Sequence, residues 1–189
     1  MADWSLNPRI RYLAERLHHG AVVAYPTEAV WGLGADPFNE AAVQRILSLK
    51  NRPQDKGVIL LAADIAQVNF LLEGLPNAAR DELNATWPAA VTYLLPHHNR
   101  VPAWICGKFT TVAVRVTDHP VAAGLARAFG GPIVSTSCNP AGAEPARTLA
   151  EARAYFGEGD VAYAPGVVGN RANPSEIRDL FSHQVLRDG

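Results

Sequence analysis

The sequence AVVAYP at residues 21–26 decides the fold class, because its apolar residues predict a buried strand that the proline ends. On its N-terminal side, apolar residues at helical spacing in 10–17 predict a helix that Gly20 ends. On its C-terminal side, residues 32–37 (GLGADP) predict a loop. The stretch therefore predicts a helix followed by a strand and a loop.

The same alternation continues along the chain. Asn39 is a suitable N-cap for a helix whose apolar stripe ends at Lys50, so we expect Lys50 to face the body of the domain. Further strands are predicted at residues 58–62, 91–95, 111–116, 132–134 and 161–163. Further helices are predicted at residues 64–73, 77–86 and 119–129, and from Thr148, whose spacing to Glu151 predicts a capping box. Strands that alternate with helices predict an α/β fold, and short connections favour a mixed sheet.

Composition limits the classes of function. The chain has 189 residues, which suits one domain over 1–189, and its net charge of −1 is unlike that of a strongly basic nucleic-acid binder. Local charge is less even: residues 45–57 carry +3 and residues 108–153 carry +2. Two basic zones on a nearly neutral protein favour an anionic ligand in a cleft.

The sequence also predicts where the protein is found. Only two cysteines occur, which predicts a reducing compartment. No apolar run is long enough to span a membrane, and the first four residues lack the pattern of a signal peptide. We therefore expect a cytoplasmic protein.

The first candidate site is the run Lys50-Asn51-Arg52-Pro53. Pro53 favours an extended conformation at Arg52, so Lys50 and Arg52 can project to one side, and Lys56 can join them. Converging cations would suit a triphosphate. The alternative is a solvated helix end, where cations favour the helix dipole.

The second candidate site follows a predicted strand, where Ser135, Ser137 and Asn139 alternate. An extended chain would direct all three to one side, at the carboxyl end of the strand, where α/β sheets bind ligands. The alternative is a turn before Pro140 in which the side chains cap backbone groups.

Two further positions are suited to a ligand. Thr27 follows the first strand and can orient a small ligand or cap a turn. Thr111 and Arg115 share one face of a predicted strand, and a buried arginine there needs either an acidic protein partner or an acidic ligand.

Several common motifs are missing from the sequence. It contains no Gly-x4-Gly-Lys-Ser/Thr loop, no Gly-x-Gly-x2-Gly, no His-Glu-x2-His, no Cys-x2-Cys and no Gly-x-Ser-x-Gly. A conventional phosphate loop, a zinc site and a serine-hydrolase elbow are therefore not indicated.

Four motifs in order resemble the YrdC-like family. They are residues 25–34 (YPTEAVWGLG), Lys50-x-Arg52-Pro53, Ser137-x-Asn139 and Pro174-Ser175-x-Ile177, and the resemblance runs from about residue 21 to 180. It implies an open twisted mixed α/β sheet with flanking helices and a concave basic surface.

The resemblance also implies a reaction. L-threonine, bicarbonate or CO2, and ATP would give L-threonylcarbamoyladenylate and pyrophosphate. A downstream transferase complex would then modify the adenosine next to the anticodon of certain tRNAs, so weak contact with tRNA is expected. The participants are anionic, so positioning and charge neutralisation would carry the catalysis, and Mg²⁺ would be held mainly by ATP and water.

The positions that match the family motifs imply the site residues. For ATP they are Lys50, Arg52, Lys56, Thr111, Asn139 and Arg147, of which Lys50 and Arg52 are also the catalytic pair. For L-threonine they are Thr27, Arg115, Ser137 and Ser175, with the substrate carboxylate as the partner of Arg115.

The sequence leaves two alternative functions open to comparison with this reaction. A structured-RNA binding module for ribosome or tRNA maturation would suit a basic concavity, but a basic stripe rich in aromatic residues is missing. A carbamoyl-transfer domain of the hydrogenase-maturation type is related, but such domains lie in longer chains with zinc motifs that this sequence lacks.

Overall fold

The computed structural model describes residues 3–189, so Met1 and Ala2, part of the segment examined for a signal peptide, lie outside the described residues. Seven α-helices are present in this part: α1 Pro8–His18, α2 Glu40–Lys50, α3 Asn69–Leu72, α4 Asn77–Thr86, α5 Ala103–Cys106, α6 Pro120–Phe129 and α7 Leu149–Phe156. The described residues also form nine strands: β1 Val22–Pro26, β2 Trp31–Gly34, β3 Ile59–Ala62, β4 Val91–Pro96, β5 Thr111–Val116, β6 Ile133–Ser137, β7 Val161–Tyr163, β8 Glu176–Asp179 and β9 Val185–Arg187.

The strands form one mixed sheet in the order β7-β1-β2-β6-β3-β5-β4-β8-β9. Within residues 3–189, three pairs are parallel (β1 with β7, β3 with β5, β4 with β8) and the other five are antiparallel. Within residues 3–189 no pairing joins β7 to β9, so the sheet is open. The predicted α/β class with a mixed sheet is confirmed.

Strand β1 shows why this sheet is buried on both faces. Val22 and Ala24 pack into one hydrophobic cluster, which contains residues of α2 and α4. Val23 and Tyr25 point the other way, into a cluster with α1 and α6. Successive side chains of a strand point to opposite faces, so a continuous apolar run is what a strand covered on both faces requires.

The loop predicted at residues 32–37 is wrong for residues 32–34, because Gly32, Leu33 and Gly34 lie in β2, which pairs with β1 and β6, and it is confirmed for residues 35–37. The glycines serve close approach rather than a turn. A Cβ added at Gly34 would lie 2.7 Å from the ring of Tyr25. The Tyr25 hydroxyl crosses β2 to donate to the Val134 carbonyl oxygen at 3.2 Å.

The predicted helix caps are confirmed. The Asn39 side chain accepts from the Ala42 amide at the start of α2. At the start of α7, Thr148 and Glu151 form the capping box. Helix α2 ends at Lys50, and its C-cap Asn51, with a φ of +50°, turns the chain toward Arg52.

Other boundaries differ from those predicted. Residues 64–73 form a 3-10 turn, Ile65–Val68, and the short α3 rather than one helix. Strand β6 runs on to Ser137, beyond the predicted end at 134. Helix α5 and strands β8 and β9 were not predicted. Among the described residues, no helix is both long enough and apolar enough to cross a membrane.

Candidate active site

A cleft of about 400 Å³ opens at the ends of several strands. Its walls come from the β1–β2 connection, the segment after α2, the starts of β5 and β8, the end of β6, and β9. Ionisable side chains on these walls, among residues 3–189, include four cations, Arg52, Lys56, Arg115 and Arg187, and one carboxylate, Glu28. The cleft is therefore suited to anions. The concave basic surface expected for the whole molecule stays a prediction.

The Arg52 guanidinium is held by the turn that follows α2. Its Nε and Nη2 donate to the Gly57 carbonyl oxygen at 3.3 and 2.9 Å. Burial lowers the pKa of Arg52 from its usual value, and the smaller effect of the Asp55 charge acts to raise it. The remaining N–H donors of Arg52 make no hydrogen bond within residues 3–189, so they can bind an anion in the cleft. Lys56, on the same segment, is exposed.

Lys50 lies behind the cleft wall rather than on it. It is 4% exposed, and its Nζ donates to the backbone carbonyl oxygens of Ser137 and Asn139, the latter at 2.7 Å. Burial, followed by the charge of Arg52, lowers the pKa of Lys50 to about 8. The expected inward direction of Lys50 is confirmed, but its ammonium and the Arg52 guanidinium have different partners.

Asn139 is also buried behind the wall. Its Nδ2 donates to the carbonyl oxygens of Pro140 and Ala143 at 3.0 and 2.8 Å, which closes the turn after β6. Its Oδ1 is buried without a hydrogen-bond partner in the described part of the chain.

Four hydroxyl residues of the prediction lie on the cleft wall: Thr27, Thr111, Ser137 and Ser175. The Thr27 hydroxyl donates to the Val30 carbonyl oxygen at 2.7 Å, so Thr27 both caps a turn and lines the cleft. The side chains of Thr111 and Ser137 are half-buried.

Arg115 has a protein partner, which corrects the expectation that the substrate alone is its partner. Arg115 Nη1 lies 3.3 Å from Glu28 Oε2, and the two side chains are only 7% and 8% exposed. The Thr117 hydroxyl donates to Glu28 Oε1. Burial acts to raise the pKa of Glu28, but the Arg115 charge and the Thr117 hydrogen bond outweigh it, so this pKa lies below its usual value.

Ser175 is positioned by a residue that the sequence did not indicate. Arg187 donates to the Ser175 carbonyl oxygen from Nε at 3.0 Å and from Nη2 at 2.6 Å, and Nη2 lies 3.1 Å from Ser175 Oγ. Ser175 Oγ also hydrogen-bonds to Thr92 Oγ1 at 2.9 Å. Burial, and after it the charge of Arg115, lowers the pKa of Arg187. A second guanidinium therefore lies near Arg115.

Arg147 lies on an exposed loop away from the cleft wall. Its Nη2 donates to the Ala172 carbonyl oxygen at 2.6 Å, which ties the loop before α7 to the segment before β8.

The structure brings most of the predicted residues together. On the cleft wall are Thr27, Arg52, Lys56, Thr111, Arg115, Ser137 and Ser175. Lys50, Asn139 and Arg147 are not part of that wall. Glu28 and Arg187 are additions. Glu28 could have been found from the sequence, because it lies in the motif of residues 25–34 just after β1. Arg187 lies in a short strand outside the family motifs, so the sequence did not point to it.

Comparison with known proteins gives consistent matches. The Sua5/YciO/YrdC family model, described as telomere recombination, matches residues 15–189. A protein of Cellvibrio japonicus named threonylcarbamoyl-AMP synthase is 57% identical over 187 residues, 99% of each chain. A Marinobacter nauticus protein with the same name is 53% identical over 191 residues, 99% of this chain and 100% of the relative.

A solved structure adds a likeness in three dimensions. The structure of P. abyssi Sua5 complexed with L-threonine matches with a TM-score of 0.80 and 32% identity, covering 90% of this chain. This chain spans 50% of that Sua5 chain, whereas it spans nearly the full length of the curated relatives.

Proposed function

The chain belongs to the Sua5/YciO/YrdC family, and on that premise we propose that it is an L-threonylcarbamoyladenylate synthase. It converts L-threonine, bicarbonate or CO2, and ATP into L-threonylcarbamoyl-AMP and pyrophosphate. One observation carries the proposal: Arg52 and Lys56, suited to phosphates, share a cleft with Thr27 and Arg115, suited to an amino acid.

The chemistry needs positioning more than it needs a protein nucleophile. The threonine ammonium loses one proton to become an amine, the amine attacks the carbon of CO2, and loss of a second proton to solvent leaves an N-carboxylate. An oxygen of that carboxylate attacks the α-phosphorus of ATP, and pyrophosphate leaves. The second step brings two anions, the N-carboxylate and ATP, together, so cations that neutralise charge and hold the reactants in line would supply most of the rate enhancement.

On the nucleotide side, we propose that Arg52 is the main phosphate ligand. It lines the cleft with donors left over from its contacts to Gly57. Lys56 and Thr111 lie on the same wall and would complete the contacts. Lys50 and Asn139 would act from behind the wall by fixing the end of β6, and Arg147 would reach the phosphates only by leaving Ala172.

On the amino-acid side, we propose that Arg115 binds the threonine carboxylate. Thr27, Ser137 and Ser175 would hold the rest of the amino acid through hydroxyl groups on the same wall. Arg187 would fix Ser175 by its contacts to the Ser175 carbonyl and hydroxyl oxygens.

Mg²⁺ would enter with ATP. Among residues 3–189, no group of three or more His, Cys, Asp or Glu side chains could hold a metal ion, and the carboxylate in the cleft is already paired with Arg115. The phosphates and water would therefore supply the ligands, and the ion would neutralise phosphate charge.

The product is chemically an activated acyl group, so a second enzyme must take it. We propose that a transferase complex moves it to the adenosine next to the anticodon of tRNA, with weak tRNA contact here. We also propose a single YrdC-like domain over residues 1–189 in the cytoplasm. The curated relatives are named for the synthase reaction and not for RNA binding.

Pyrophosphate release tests the proposed function. The protein is incubated with ATP, Mg²⁺ and bicarbonate, and each amino acid is added in turn. Release that depends on L-threonine and on bicarbonate is expected. Release that is equal without an amino acid would contradict the proposal.

A further inference from the structure

The buried ion pair at the end of the cleft is incomplete. Arg115 Nη1 and Glu28 Oε2 lie within ion-pair distance at 3.3 Å, but Glu28 Oε2 accepts no hydrogen bond from the described residues. Arg115 Nε donates none either. The pair therefore leaves one buried acceptor and one buried donor without a partner, and such groups in a native structure call for an explanation.

A zwitterionic ligand could supply the hydrogen-bond donor that Glu28 Oε2 lacks and the acceptor that Arg115 Nε lacks. An α-amino acid carries an ammonium group, which only donates hydrogen bonds, beside a carboxylate, which only accepts them. The ammonium matches Glu28 Oε2 and the carboxylate matches Arg115 Nε. Both residues line the cleft, so an amino acid bound there would lie beside both, and it would reach the buried Glu28 Oε2 and Arg115 Nε by a shift of the two side chains.

We propose that Glu28 is a substrate-binding residue that accepts a hydrogen bond from the α-ammonium group of the amino acid and thereby selects amino acids over hydroxy acids. This rests on the proposed function, since it assigns one contact within the amino-acid site.

The surroundings of Glu28 keep its carboxylate ionised. The Thr117 hydroxyl occupies Oε1, so Oε2 is the oxygen left for a ligand. The adjacent Asp118 side chain also hydrogen-bonds to Glu28; burial, followed by the charge of Glu28 and this hydrogen bond, raises the pKa of Asp118, so a ligand ammonium would replace the Asp118 proton as donor to Glu28. Of the two carboxyl groups, Glu28 therefore holds the negative charge, with Arg115 beside it. An ionised Glu28 is a weak base, so its role is binding rather than proton removal.

Backbone contacts fix Glu28 in place. Its carbonyl oxygen accepts from the Arg171 amide at 3.1 Å, and the neighbouring Thr27 carbonyl oxygen accepts from the Gly169 amide at 2.9 Å. A Cβ added at Gly169 would lie 2.8 Å from the Glu28 carbonyl oxygen, so glycine allows this close approach. The segment that carries Gly169 thus holds the carboxylate at the cleft wall.

The test compares two ligands that differ only in the amine. Calorimetry would measure the Kd of L-threonine and of (2S,3R)-2,3-dihydroxybutyrate, which has a hydroxyl in place of the ammonium. A hydrogen bond between charged groups predicts that the wild-type protein binds L-threonine about 10- to 100-fold more tightly. Glu28→Gln keeps the shape but loses the charge, so this ratio should fall to near one.

The controls separate this contact from a structural role. Glu40→Gln alters an exposed carboxylate on α2 and should leave both affinities unchanged. A Glu28→Gln protein that is merely destabilised would bind both ligands more weakly at an unchanged ratio, and that result would overturn the inference. Should Glu28→Gln fail to fold, the wild-type protein still decides: equal affinity for the two ligands would overturn it, and a preference for L-threonine that vanishes in Glu28→Asp would support it.

Failure of the proposed function gives a different result. A wild-type protein that binds neither ligand would overturn both proposals. One that binds L-threonine and releases pyrophosphate, but keeps its preference in Glu28→Gln, would overturn only the assignment of Glu28.

Discussion

The ammonium group of Lys50 lies 2.7 Å from the backbone carbonyl oxygen of Asn139, so the last residue of α2 is joined to the turn that follows β6. The Ala141 amide donates back to the Lys50 carbonyl oxygen at 2.8 Å. These contacts bring two distant parts of the sequence together and set the position of the cleft wall between them.

Lys50→Met should therefore lower stability. Methionine keeps the apolar stem but leaves two buried carbonyl oxygens without their charged donor, which predicts a loss of about 1.5–3 kcal/mol in the free energy of unfolding. Urea denaturation would measure it. An unchanged free energy of unfolding, together with lost ATP binding, would instead make Lys50 a direct phosphate ligand.

Arg52→Ala should have the opposite profile. It removes a charge-assisted contact to phosphate, so ATP binding should weaken by roughly 10- to 150-fold, whereas loss of the part-buried contacts to the Gly57 carbonyl oxygen should lower the free energy of unfolding by only about 1 kcal/mol. Titration calorimetry with ATP would measure the loss. Arg11→Ala, an exposed arginine on α1, is the matched control and should bind ATP as the wild type does. Wild-type affinity in Arg52→Ala would remove Arg52 from the site.

Gly34→Ala tests the packing of β2 against β1. The added Cβ would lie 2.7 Å from the Tyr25 ring and 3.0 Å from the Val134 carbonyl oxygen, so the variant should lose about 1–3 kcal/mol of stability. Gly159→Ala is the control, since no atom lies within 4 Å of its added Cβ, and it should stay within about 1 kcal/mol of wild type. Equal thermal unfolding of both variants would contradict this packing.

The ion pair of Glu28 and Arg115 predicts how stability depends on pH. The pKa of Glu28 in the folded protein lies below its usual 4.5, because the Arg115 charge and the Thr117 hydrogen bond outweigh burial. The native state therefore gains stability from Glu28 above about pH 4.5 and loses it as the pH falls through the lowered pKa.

Unfolding free energies between about pH 3 and pH 7 would measure this contribution. Glu28→Gln cannot titrate at this position, so its stability should fall less steeply with acid than that of the wild type. Parallel curves for the two proteins would show that Glu28 has no lowered pKa in the native state.

Local sequence patterns predicted much of the fold, but not its long-range contacts. The apolar run of β1, the Asn39 cap and the Thr148 capping box depend on neighbouring residues, and all three are confirmed. Glycines 32 and 34 suggested a loop, because their role depends on the ring of Tyr25, a contact made only in the folded sheet. Strand β9 has only three residues, and its two apolar side chains, Val185 and Leu186, are too few to define a strand period.

The site shows the same division between local and long-range information. Arg52, Thr111 and Ser137 were selected by their positions in the sequence, and all three lie on one wall of the cleft. The pairing of Arg115 with Glu28, however, joins residues far apart in sequence, and no local pattern indicates which carboxylate an arginine meets. The contact of Arg187 with Ser175 was missed for the same reason.

A crystal structure of the protein with L-threonine and a non-hydrolysable ATP analogue tests the central claim most directly, because that claim requires both substrates in one cleft. The account predicts the threonine carboxylate at Arg115, the phosphates at Arg52, and the threonine nitrogen facing the α-phosphate with room between them for one carboxylate group. Ligands bound in separate pockets, or an ATP analogue with no phosphate contact to Arg52, would contradict it.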